Sequence, residues 1–195
     1  MFFSKTRKLE RLPLDLADRV NLLLVYAGEK PATTLDFCLS KDGEPFIQYD
    51  LEPHQRIKKA EKILSSLKLP YQQGDIITLG GYAKIELISL HIAQEQKLID
   101  LLITARLDLD HFEIGRLYGF PKTSTEAFLG IRERNYSTRL RDGNPAGYFT
   151  PFVFSEDNCQ EEFRTTSLRW HDTIKRIAPR VYEEIRKSEK RLKRY

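Results

Sequence analysis

The segment HFEIGRLYGFPKTSTEAFLG, residues 111–130, decides how the second half of the chain folds. Its composition predicts a helix, a tight bend and a second helix. Gly119 is the residue type that adopts a positive φ without steric penalty, which a sharp bend between helices requires. Gly115, four positions earlier, offers no side chain at the place where two such helices cross closely. Ile114, Leu117 and Phe120 are spaced to pack the pair. Asp110 is a suitable N-cap for the first helix, and acids in its first turn complement the helix dipole.

Upstream, QEQKLIDLLITARL (94–107) reads as a mostly buried helix. Before it, DIITLGGYAKIELISLHIA (75–93) predicts a hairpin across Gly80 and Gly81. Ala83, Ile85 and Leu87 alternate there with Lys84, Glu86 and Ile88, the period of a half-buried strand, although the part from Ile85 onward also admits a helix. EPHQRIKKAEKILSSLKLP (52–70) is an amphipathic helix with Pro53 at its first position. Ile57, Ala60, Ile63, Leu64 and Leu67 form its apolar stripe, and Arg56, Lys58, Lys59 and Lys62 lie off it. Asp42-Gly43, between two strand-like runs, is the strongest short-range hairpin signal of the chain. LPLDLADRVNLLLVYAGEKP (12–31) predicts a helix capped by Asp15 and stopped by Gly28 and Pro31.

Downstream, residues 131–154 form an irregular connection rich in Gly, Pro, Asn and Arg. A C-terminal helix is expected from an N-cap at Ser155, with an apolar stripe through Cys159, Phe163, Thr166, Trp170, Ile174 and Ile177. Pro179 kinks or breaks it, and Val181, Tyr182 and Ile185 continue it. The sum is an α+β fold: helices packed on one or two small antiparallel β-hairpins, with an αα bend and a long helical C-terminal element. Residues 1–154 are expected to form the body. Residues 155–195 are expected to pack on it as a helical element ending in a basic tail.

At 195 residues and 41% hydrophobic, the chain is long enough to bury a core without disulfides or metals. Cys38 and Cys159 lie far apart, which fits a reducing compartment. The N-terminus lacks the apolar run of a signal peptide, and no apolar stretch is long enough to span a bilayer. A cytoplasmic protein without membrane partners is expected. The net charge of +4 is unevenly placed: residues 1–12 carry four Lys/Arg against one Glu, and residues 175–195 carry nine against three. Such ends can contact phosphate backbones through sequence-independent electrostatics.

The bend resembles the helix-turn-helix segment of DNA-binding proteins over about twenty residues. That family places Ile or Val six residues after the turn glycine; here Thr125 stands there. The resemblance implies that Lys122, Thr123, Ser124 and Glu126 line the exposed start of a recognition helix, able to meet phosphates and base edges. The alternative is an αα-hairpin packed into the core. In the following loop Arg132, Arg134, Arg139 and Arg141 interleave with Tyr136, Tyr148 and Phe149, a mixture suited to phosphate contact and base stacking. Asp108, Asp110, His111 and Glu113 are metal-ligating residue types, but a capping role explains them better, and no metal or cofactor is expected. No phosphate loop, nucleophile elbow or zinc-protease motif is present. The expected function is therefore non-enzymatic binding of nucleic acid. An acidic protein partner is the alternative, and an enzyme with no recognisable motif a third reading.

Overall fold

Hydrophobic pattern and turn chemistry place nine α-helical segments and six strands in the computed structural model, which describes residues 2–81, 83–136 and 144–192. Helix α1 (Phe2–Glu10) precedes α2 (Leu16–Tyr26). Strands β1 (Ala32–Lys41) and β2 (Glu44–Pro45) flank Asp42 and Gly43, both at positive φ (54° and 86°). That combination is the hairpin turn expected there. Helix α3 (Pro53–Leu67) starts on its proline and ends on Lys68 in the left-handed conformation. Strands β3 (Tyr71–Leu79) and β4 (Ile85–Ala93) form the second hairpin, and Ile85–Ala93 is strand throughout.

The two hairpins make one sheet. β1 pairs antiparallel with β4 over nearly its whole length, giving the order β2-β1-β4-β3. Leu35, Phe37, Ile88 and Leu90 point to one face and join the main core with Leu22, Leu23, Ala60 and Leu64 from α2 and α3. The opposite face, partly covered by α4 (Gln96–Leu107), buries polar groups. There Ser89 donates to the Asp36 carboxylate at 2.5 Å, and Tyr118 donates to Thr34, which meets His91 Nδ1 at 3.1 Å.

Helices α5 (His111–Leu117) and α6 (Lys122–Phe128) form the expected bend, and Gly119 has φ +73°. The Asp110 side chain accepts from the backbone N–H groups of Phe112 and Glu113, so it is a cap. A two-stranded ribbon follows, β5 (Arg134–Asn135) with β6 (Phe154–Ser155), with a 3-10 turn at Pro145–Phe149 between them. The C-terminal run comprises α7 (Cys159–Glu162), a π-helical turn (Phe163–Leu168), α8 (Arg169–Ile177) and α9 (Pro179–Leu192). Pro179 opens α9, and Trp170, Ile174, Val181 and Ile185 belong to the same core as α2.

Ser155 is not the helix cap that its residue type suggests. It lies in β6, fully buried, and both its N–H and its hydroxyl donate to Glu162. Asn158 occupies the cap position. A buried carboxylate needs several donors, and this requirement overrides the local capping preference. Helix α1, absent from the sequence-based expectation, packs Leu9 into the core and pairs with α2 and α3.

Replacing Gly119 by Ala places a side chain in a left-handed conformation and sets its Cβ 3.4 Å from both the Glu29 carbonyl and the Trp170 ring. The expected loss is about 1–2 kcal/mol, read as a fall in the midpoint of chemical denaturation. An unchanged midpoint would show that the bend tolerates a Cβ.

Lys30 is 3% exposed, and burial pushes its ammonium down to about pKa 7. At lower pH both the folded and the unfolded chain carry this proton, and the full cost of burying the charge is present. Between pH 7 and roughly 10.4 the folded chain has lost the proton while the unfolded chain keeps it. This group therefore makes stability rise with pH across that window. Urea titrations at several pH values are expected to show a rise in the native protein that Lys30→Met lacks. Parallel curves for the two proteins would refute the assignment.

Candidate functional site

The residues that the sequence singles out do gather around α6, but most are occupied by the protein itself. Lys122 is exposed, with Nζ 3.7 Å from Glu126. Arg132 bridges Glu126 and Asp157, at 2.5 Å to each. The guanidinium holds the Glu126 carboxyl below its usual range. Arg134 donates to the carbonyls of Ala127 and Phe128, so it closes the C-terminal end of α6. The Thr123 hydroxyl donates to Glu162, the same carboxylate that holds Ser155. Ser124 is 1% exposed, which corrects its expected place on an exposed recognition face. Tyr136 is exposed, and Arg139 and Arg141 lie outside the described residues.

Two features explain this. Arg132 and Asp157 meet across the β5–β6 ribbon, a pairing no local pattern reveals. Helix α6 also turns Ser124, Thr125 and Ala127 inward, because Gly115 lets α5 come close to it. A short helix with three inward residues in its seven keeps little surface for a DNA groove.

A second cationic cluster is not occupied. Helix α1 lies beside α3, and Lys8 Nζ donates to Ser66 at 3.3 Å. Arg11, Lys59 and Lys62 line one cleft together with Tyr49 and Asp50. Lys8, Arg11, Lys58, Lys59 and Lys62 are all exposed, and none forms an ion pair with a carboxylate of the described residues. The α3 spacing produces this geometry: Lys59, Lys62 and Ser66 recur at three and four residues, on the ridge beside α1. The sequence marked the α3 lysines as off the apolar stripe but did not bring α1 to them. The Tyr49 ring is half exposed, with the Arg56 guanidinium 5.6 Å from its centroid.

Beneath the bend lies a half-open pocket of about 410 Å³ between α5, α6 and residues 150–153. Ser124 is among its lining residues, and its buried hydroxyl has no hydrogen-bond partner. A further polar cleft, beside β3 and α4, contains His91 and Ser89. Burial and nearby Arg106 lower the His91 pKa, which favours the neutral ring. Among the described residues, no group of three His, Cys, Asp or Glu side chains is arranged to hold a metal, and no helix is long and apolar enough to cross a membrane. No family model, no curated protein and no solved structure matches this chain.

Proposed function

We propose that this protein binds nucleic acid, and that the contact surface is the basic cleft between α1 and α3 rather than the bend. The observation that carries this reading is that Arg11, Lys59 and Lys62 line one cleft, with Lys8 beside it on Ser66, and none of the four forms an ion pair among the described residues; Asp50 is the single carboxylate residue in the lining. Like charges held on one face repel one another, and the repulsion is relieved when an anionic chain lies across them. Lysine is a compact point charge with rotatable donors, suited to a phosphate in any sequence context. The reading is thus one of backbone contact without base selection. Tyr49 at the cleft wall adds a ring on which an unpaired base can stack.

Fluorescence-anisotropy titrations with short single- and double-stranded DNA and RNA test this reading. Four phosphate contacts give a slope of log K against log salt of about −3. Replacing Lys59 and Lys62 by Ala is expected to weaken binding to every sequence and flatten that slope by about 1.5. Arg132→Ala, at the bend, is expected to leave both unchanged. Absence of binding at low salt overturns the proposal, and capture of a polyaspartate peptide instead assigns the cleft to an acidic protein partner.

A further inference from the structure

We propose that the pocket under the αα bend is a binding site for a small, neutral, bicyclic aromatic molecule carrying one hydrogen-bonding group. The site is separate from the basic cleft, and its lining argues the ligand's chemistry. Ile114 of α5, Tyr118 just past its end, Phe128 of α6, Phe120 and Phe152 supply apolar and aromatic walls. The lining contains no carboxylate, ammonium or guanidinium group; its titratable side chains are those of His111 and Tyr118. A charged ligand would enter without a counter-charge, so the favoured ligand is neutral.

Size sets the second property. A cavity of roughly 150 Å³ accommodates a benzene ring. At about 410 Å³ this pocket holds two fused rings, within the ordinary range for ligand sites.

The third property comes from Ser124. Ser124 is among the lining residues; its hydroxyl oxygen is buried, has no hydrogen-bond partner, and reaches a ligand by rotation about χ1. The neighbouring hydroxyls are already engaged: Thr125 donates to the Pro121 carbonyl, and Thr150 meets Ser167 at 3.0 Å. An orphan buried hydroxyl costs free energy that a ligand group recovers by bonding to it. At the mouth, the rings of His111 and Phe128 meet edge-on with centroids 6.0 Å apart, an arrangement that offers a further aromatic edge to an entering ring.

The probes are naphthalene and 2-naphthol, which differ by one hydroxyl, titrated by saturation-transfer NMR against the full chain. Both are expected to bind the native protein. Ile114→Trp fills the pocket from α5 and is expected to abolish binding of both, and Val153→Trp fills it from the opposite wall. Circular dichroism establishes which of these variants folds, and one folded filling variant is sufficient. Ser124→Ala is expected to weaken 2-naphthol about fivefold while leaving naphthalene unchanged. Failure of either probe to bind the native protein overturns the proposal. So does undiminished binding to a folded filling variant, or a Ser124→Ala effect that is not confined to 2-naphthol. Nucleic-acid binding at the α1–α3 cleft is measured independently, so failure of one proposal leaves the other standing.

Discussion

The buried Lys30 side chain, set against a tryptophan ring, ties three separate elements of this molecule together. Lys30 Nζ lies 4.4 Å from the centroid of Trp170 and 5.6 Å from that of Phe120, and donates to Asn21 Oδ1 at 2.7 Å. Taking an ammonium out of water costs several kcal/mol, and the ring face together with one strong acceptor offsets part of it. The geometry is demanding because the three partners come from α2, the bend and α8. The neighbouring residues tighten the same junction. Glu29 accepts from Thr173 and pairs with Arg169, and the Lys30 carbonyl accepts from Gln94. Gly119 packs against Glu29, Lys30 and Trp170, and its φ of +73° is the conformation that favours glycine at this point of the arrangement. The αα bend is therefore a core element docked on the end of α2, as one of the two readings of its sequence anticipated.

What the sequence disclosed was local. Asp42-Gly43 identified its hairpin because two adjacent residues carry the turn's backbone requirement. Pro53 and the Ile57–Leu67 stripe identified α3, and Phe163 and Trp170 lie buried as their spacing indicated. Contacts between distant segments were not disclosed. The union of two hairpins into one sheet depends on β1 meeting β4 more than fifty residues away, for example at Leu35 and Leu90. Helix α1 escaped notice because charged residues dominate it, leaving Leu9 and Leu12 as weak evidence of a buried face. Ser155 was misread for a related reason: its capping preference is real, but a buried Glu162 needs its donors more.

The same distinction governs the two basic regions. Around α6 each cation of the described residues meets a carboxylate or a carbonyl: Lys122 and Arg132 meet Glu126, and Arg134 meets the last carbonyls of the helix. Glu162 draws Thr123 and Ser155 together, and Asp157 and Glu126 hold Arg132. These interactions order the β5–β6 ribbon against the bend and leave few donors for a phosphate. Between α1 and α3 the cations form no ion pair among the described residues, although Asp50 lines the same cleft. Density of basic residues in sequence is thus a poor guide to available charge; what counts is which cations remain after folding has used the rest.

The pocket has its origin in one close contact. A Cβ on Gly115 would lie 2.5 Å from the Thr125 hydroxyl oxygen, so α5 and α6 approach at this point as nearly as two backbones and one threonine allow. Thr125 stands where the helix-turn-helix pattern has Ile or Val, and its hydroxyl turns back to the Pro121 carbonyl of its own helix. A threonine methyl and an internally satisfied hydroxyl fill the crossing with less bulk than a larger aliphatic side chain would. Away from the crossing the two helices diverge, and residues 150–153 close only part of the space between them. Ser124, adjacent to Thr125, is buried beside it and is among the residues that line that space. The inward face of α6 thus has two consequences: it packs the bend against the rest of the chain, and it supplies Ser124 and Thr125 to the wall of the cavity.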